Sequence, residues 1–513
     1  MNTSPFEDLA SLLAGHPDAA ALRDDQQSLG RAQLLAGAGD AARALHQLGL
    51  RRGDAFAVWL PNGAAWLQLL FAAAHLGLLV VPVSTRYKPA EVGHLLKVSR
   101  ARLLIHPSHF LGEDRGAVAQ ALLAETPTLE QLLAVDDATA LMPFEATRAL
   151  PLPAQAGQAR DLLCCFSTSG TTGAPKLAAH DHASIARHAL QVARAIDLRP
   201  GDAMLCALPL FGVFGFMTAL AALAAGASCV LMPVFDASAA AQSIASQRVS
   251  HAVGADSMFD PMLKIPDADF SSLRRLALAD FAGLTLQLTQ QADTLGIRCS
   301  GTYGSSEVFS LISLQDWQGP AEQRALAGGT PVDPAIAIRV VDPQTGQPVA
   351  DGQAGELQIR GPNVLAQYLN NPEATARALD ADGWFSSGDL ATAQGQRFHY
   401  LARIGDSLRL RGYLVNPAEI EACLMQHPAV AGAQVVGVKV PGVGDQAIAF
   451  VVLALADPGE DALLAHCRQH MASYKVPQRV RVLASFPSLD GPNGVKIQKR
   501  LLREMANDLS AAR

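Results

Sequence analysis

Short apolar runs at residues 55–60, 79–83, 102–105, 229–232 and 251–253 alternate with helix-period segments through the first half of the chain. Each run is too short for a helix and too continuously apolar for a strand with one wet face. Each therefore predicts a strand buried on both sides. Parallel strands need crossover connections, and the helical segments supply them, so the alternation predicts an α/β fold of stacked, mostly parallel sheets with helices on their faces. From about residue 346 the texture changes. Strand-like pieces at 353–360 and 397–401 stand between turn signals such as DADG at 380–383, which predicts a smaller β-rich subdomain. A boundary falls at residues 403–407. Beyond it come a helix at 416–425 opening on Asn416-Pro417, strands near 435–440 and 448–455, and a helix near 461–471: a compact α+β unit. The expected organisation is a large N-terminal domain over 1–403 and a small C-terminal domain over 404–513. A short linker makes the small domain mobile.

Composition narrows the function classes. At 513 residues, half of them hydrophobic, the chain is long enough for a large core. A net charge of −7 argues against a nucleic-acid partner, which needs a basic face. The seven cysteines are scattered. Cys164 and Cys165 are adjacent in a predicted strand and so point to opposite faces. Reduced, buried thiols are expected, and with no CxxC or HExxH spacing no structural zinc is. The N-terminus has no early basic residue and makes a poor secretory signal. Residues 211–235 carry no charge and are long enough to span a bilayer, but Gly212, Gly215, Gly226 and Pro233 break them. A buried helix at 217–225 and a strand at 228–232 are expected instead. No membrane span and a cytoplasmic location follow, and the sequence leaves a homodimer open.

The strand-like run 162–166 empties into STSGTTGAPK, residues 167–176. Hydroxyls and backbone N–H groups after a strand, with a lysine close by, can cradle phosphate oxygens. The GxxxxGK[ST] loop of nucleotide hydrolases is absent, because Ala174 and Pro175 separate Gly173 from Lys176. Further motifs follow in order: LPLFGVFG at 208–215, TYGSSE at 302–307, GELQIRGP at 355–362 and GWFSSGDL at 383–390. Then come ARIGDSLRLRGYLVNPAEIE at 402–421, YKVP at 474–477 and GVKIQK at 494–499.

This series resembles the adenylate-forming superfamily of acyl-CoA synthetases, luciferases and peptide-synthetase adenylation domains, over nearly the whole chain. The resemblance implies a two-step ligase. A small-molecule carboxylic acid attacks the α-phosphate of MgATP and releases pyrophosphate; a thiol, commonly that of coenzyme A, then displaces AMP. It implies that Thr168, Ser169, Gly170, Thr171, Thr172, Gly173 and Lys176 cradle the β- and γ-phosphates. Tyr303 and Gly304 would lie by the adenine, Ser306 near the α-phosphate, and Glu307 on Mg²⁺. Asp389 would take the ribose hydroxyls and Arg403 the next ribose and phosphate contact. Lys496, with Lys499 as runner-up, would bridge the attacking carboxylate and the α-phosphate. Lys496, Thr172 and Glu307 form the expected catalytic set. Arg411, Gly412 and Tyr413 would approach the pantetheine channel after the small domain rotates, with Gly405 at the hinge position.

The chain departs from the family pattern around the acyl pocket, where Phe211, Gly212, Phe214, Asp256, Asp280, Phe281 and Ala282 are expected. Gly212 stands where a histidine is common. The sequence ADFAG at 279–283 replaces the usual Ser-Gly-Gly-Ala-Pro. Phe281 would narrow the pocket, and Asp280 would either bind a polar group or cap a turn, the same two readings being open for Asp256. Two alternatives stand beside the CoA ligase: loading of a carrier protein, and weakly catalytic nucleotide binding.

Overall fold

The computed structural model describes residues 9, 11–14, 19–23, 28–135, 142–168, 175–281, 284–343, 345–404, 408–411, 413–415, 417–440, 443–491 and 494–511. The large domain has two stacked sheets. In the first, Ala20–Arg23, Ser228–Leu231, Ala203–Cys206, His251–Ala255, Arg275–Ala279 and Arg298–Tyr303 lie parallel in that spatial order. In the second, Gln131–Ala134, Leu103–His106, Ala55–Val58, Leu79–Pro82 and Leu162–Thr168 are parallel, and Lys176–Asp181 returns antiparallel beside Leu162–Thr168. The strands start and stop close to their expected positions.

The apolar stretch at 211–235 resolves into the helix Val213–Ala224 and the strand Ser228–Leu231. With Ala64–Leu76, in which every residue but His75 is buried, this helix lies in the core shared by the two sheets. A helix apolar all round belongs in such a place. Phe216 meets Trp66 and Phe166 edge-on at centroid distances of 5.6 and 5.2 Å. Truncating it to alanine would cost about 3–5 kcal/mol. Among the described residues no helix is long and apolar enough to cross a membrane. Cys164 and Cys165 fall in different core clusters, on opposite faces of their strand, and all seven cysteines are free thiols.

The β-rich region has a core of its own, around Val340, Leu357, Ile359 and Phe398, and is joined to the first sheet. Its antiparallel strands Ala337–Val341, Gly355–Arg360, Phe385–Gln394 and Arg397–Arg403 continue the first sheet through Gly328–Pro331 and Ser313–Leu314. The sheet therefore runs unbroken from the parallel strands to the end of the large domain.

The small domain is built on Val430–Val440 and Gly444–Leu453, paired antiparallel, with Leu408–Leu410, Tyr413–Val415 and Arg479–Val482 beside them. Helices Pro417–Met425 and Glu460–His470 pack through Ile420, Leu424, Leu463 and Cys467 against Val435 and Ala449. The other core of the domain joins Leu502 and Ala506 of Lys499–Ala511 to Val436, Val438, Ile448 and Phe450. A hairpin, Ser488–Gly491 with Gly494–Ile497, carries Lys496 opposite Leu489.

Candidate active site

A cavity of about 910 Å³ lies where the parallel strands of both sheets end. Thr302 and Tyr303, Ala279 to Phe281, and Ala255 reach it from the first sheet, and Phe166 to Thr168 from the second. The carboxyl ends of parallel strands are the usual ligand site of α/β sheets. Arg411, Glu419, Ser473, Tyr474 and Lys475 of the small domain complete the wall.

One wall is polar and tightly bonded. Tyr303 to Glu307 line it. Gly304 has to be glycine: a Cβ there would stand 2.4 Å from the backbone nitrogen of Leu311. The segment then turns through Phe309, Ser310 and Leu311, all at positive φ (59°, 59° and 37°). Three such residues in a row are strained and need an external hold. The Ser310 N–H donates to the Ser305 carbonyl at 2.8 Å, and Asn363 Nδ2 donates to the Val308 carbonyl at 2.8 Å. His188 Nε2 and His180 Nε2 donate to the carbonyls of Ser310 and Ser306 at 2.9 and 2.8 Å. Burial pushes both histidines down to about 4, so each is a neutral ring whose proton sits on the donating nitrogen. Phe309 packs on His180 at 4.7 Å, which fixes the turn from its other side.

Tyr303 and Asp389 are joined. The tyrosine hydroxyl donates to Asp389 Oδ2 at 2.5 Å, with both side chains buried. Asp389 and Arg403 are register partners in neighbouring strands. Only the backbone of Arg403, Tyr413 and Lys496 is described. Glu307 accepts from the Tyr368 hydroxyl at 3.0 Å, and Lys176 Nζ stands 4.0 Å over the Tyr368 ring. Lys176 is not a loop residue, as its motif suggests, but the first residue of the return strand, opposite Thr168. Ser169, Gly170, Thr171, Thr172 and Gly173 of the expected phosphate loop lie outside the described residues, as do Ala282, Gly405 and Gly412.

The other wall is apolar. Phe211, Gly212, Phe214, Val234, Phe235, Met258 and Phe281 line it, with Asp280 and Ser257 adding polar groups. Gly212 is not required by packing: a Cβ added there meets only the Pro209 carbonyl, at 3.5 Å. Of the two readings of Asp256, the structure corrects its placement in the pocket and agrees with the backbone-capping one. Asp256 is fully buried, and its carboxylate accepts from the backbone N–H groups of Ser257, Phe281 and Leu284 at 2.8, 3.1 and 2.9 Å. It holds the backbone of Phe281 and of Leu284 and does not line the cavity.

Lys499, the runner-up to Lys496, pairs with Glu421 inside the small domain at 3.5 Å. His180, Tyr368 and Lys475 were not singled out as site residues from sequence. A histidine in an apolar strand and a tyrosine after a turn carry no spacing signal, and Lys475 was visible only as part of YKVP.

The AMP-binding enzyme family matches residues 9–369, and its C-terminal domain matches residues 419–489. The chain belongs to the AMP-binding enzyme family. Among its members, feruloyl-CoA synthase of an Amycolatopsis species is 33% identical over 479 residues, covering 92% of this chain and 93% of that protein. The 3-[(3aS,4S,7aS)-7a-methyl-1,5-dioxo-octahydro-1H-inden-4-yl]propanoyl:CoA ligase of Mycobacterium tuberculosis is 32% identical over 514 residues, covering 95% and 96%. The fold matches the amide bond synthetase McbA from Marinactinospora thermotolerans with a TM-score of 0.85 at 24% identity, covering 97% and 99%. The family places this chain among adenylate-forming enzymes with acid–thiol ligase relatives, which does not favour carrier-protein loading.

Proposed function

We propose that this AMP-forming acid–thiol ligase activates a ring-bearing, largely apolar carboxylic acid and passes it to coenzyme A. The observation that carries the reading is the pairing of a bonded polar wall with an apolar wall of Phe211, Phe214, Phe235, Met258 and Phe281 in one cavity. Relatives named for feruloyl and bicyclic propanoyl groups support a ring.

The residues fit ATP. Tyr303 and Tyr400 offer aromatic surface to the base, and Asp389 is held for the ribose hydroxyls. Lys176 and the 168–173 loop take the β- and γ-phosphates. Glu307 also fits Mg²⁺: it is a carboxylate on the cavity wall, and the described residues hold no cluster of three or more ligand side chains. A hard cation that binds chiefly through phosphates needs one such carboxylate rather than a protein cage. Bound there, the ion would neutralise phosphate charge.

In the first step a carboxylate oxygen forms a bond to the α-phosphorus, and the bond to pyrophosphate breaks. Lys496 neutralises the two anions that meet, and Ser306 faces the α-phosphate. In the second, the thiol sulfur attacks the acyl carbon, the thiol proton is lost, and AMP leaves with the bonding pair. Adenylation is needed because oxide is a hopeless leaving group and AMP is a good one. Residues 1–403 carry the substrates, and residues 404–513 move between the two steps.

The test compares kcat/KM for hydroxycinnamic, benzoic, alicyclic and linear aliphatic acids of similar size. The ring-bearing acids should lead by about tenfold or more, the scale on which apolar pockets discriminate. Linear acids equal to or ahead of them would overturn the ring assignment.

A further inference from the structure

We propose that Lys475 latches the small domain in the orientation that receives the thiol, with Glu91 of the large domain as its keeper. Lys475 belongs to the small domain and its side chain is only 6% exposed. Its ammonium donates to Glu419 Oε2 at 2.9 Å and to Glu91 Oε1 at 2.7 Å. The Tyr87 ring stands 5.1 Å away. Burial works against the charge, but Tyr87, Glu419 and Glu91 outweigh it and hold the lysine protonated.

The two carboxylates do different work. Glu419 is on Pro417–Met425, so its bond to Lys475 travels with the small domain. Glu91 is on Pro89–Ser99 of the large domain, and its bond to Lys475 exists only while the domains are docked this way. Glu91 is also fixed in place: its Oε2 accepts from the Lys88 N–H at 3.0 Å at the start of its helix. The same docking brings Arg411 and Glu419 to the cavity. Tyr87 extends the junction, since its hydroxyl bonds Ser167 Oγ at 2.9 Å, at the root of the phosphate loop. A buried charge pair across a moving interface favours one arrangement by direction and depth, and it is lost whole when the domains separate. The latch rests on reading Arg411 as part of the thiol-receiving face.

Glu91→Gln is the clean variant. Gln retains one oxygen for the Lys88 N–H and turns an amide donor toward Lys475. It leaves the Lys475–Glu419 pair intact and does not line the cavity. Single-turnover thioester formation from supplied acyl-adenylate and CoA should fall about tenfold, an ordinary conformational coupling. Acid-dependent ATP–pyrophosphate exchange should hold or rise, and the Tm of the protein should stay near that of the parent. Glu91→Asp, which keeps the charge, should recover part of the loss. Equal loss in both half-reactions would mean a general structural role and would overturn the latch, as would no loss in either. A parent enzyme that performs neither half-reaction would instead overturn the ligase reading, and the latch with it.

Discussion

The two walls of the cavity are built by different rules. On the polar wall, proposed to take the nucleotide, side chains are bonded to named partners: Tyr303 to Asp389, Glu307 to Tyr368, and His180 and His188 to the carbonyls of the left-handed turn. On the acyl wall the residues are apolar, and Gly212 leaves room that packing does not demand. Polar recognition requires particular atoms at particular distances, so its residues are narrowly prescribed. Apolar recognition requires shape, and shape can be met in many ways. The nucleotide wall should therefore respond to single-atom changes, and the acyl wall to changes of volume.

Lys496→Ala should break the comparison hardest. It should lower acid-dependent pyrophosphate release by about 10³-fold, the scale of losing a transition-state charge partner, while thioester formation from supplied acyl-adenylate survives. Equal loss in both half-reactions would remove Lys496 from the role given to it. Asp389→Ala should lower kcat/KM for ATP by about 10²-fold through lost charged hydrogen bonds, and should leave the ranking of acids unchanged. A changed ranking would show that the two walls are not independent.

Acid should act on the nucleotide wall by way of its histidines. Well above pH 6.5 both rings are neutral in the folded and unfolded chains. As pH falls from 6.5 toward 4, the unfolded chain takes up protons that the buried rings refuse, so stability falls with pH. Each histidine accounts for at most about 3 kcal/mol of that loss. Urea unfolding at pH 7 and pH 5 measures it, and His180→Phe should flatten the slope. An unchanged slope would mean that His180 is not held neutral.

Gly212→Trp has the smallest expected effect and tests the opposite wall. It should lower kcat/KM for ring-bearing acids about tenfold and leave small acids, and the KM for ATP, nearly untouched. A matching loss for all acids would show that position 212 does not bound the acyl group.

Legibility follows the same division. The parallel strands were readable because runs such as 55–60 and 251–253 are buried on both faces. The residues expected to meet a nucleotide stand in motifs that carry the chemistry in consecutive positions, and Thr168, Tyr303, Ser306, Glu307 and Asp389 among them line one cavity. Asp256 stayed between two readings because a carboxylate beside a helix start has the same sequence whether it faces a ligand or three backbone N–H groups. The junction of Lys475 with Glu91 was not readable at all. The two residues lie 384 positions apart, and only the docking of two domains makes them neighbours. The joining of the β-rich strands to the first sheet was hidden for the same reason, since it depends on the short edge strands Ser313–Leu314 and Gly328–Pro331.

The most direct test of the account is acid-dependent pyrophosphate release with MgATP, measured with and without CoA while thioester product is followed. The account predicts slow or single-turnover release without CoA, and catalytic release with stoichiometric thioester when CoA is added. Adenylate that forms at a rate indifferent to CoA, with no thioester, would contradict it.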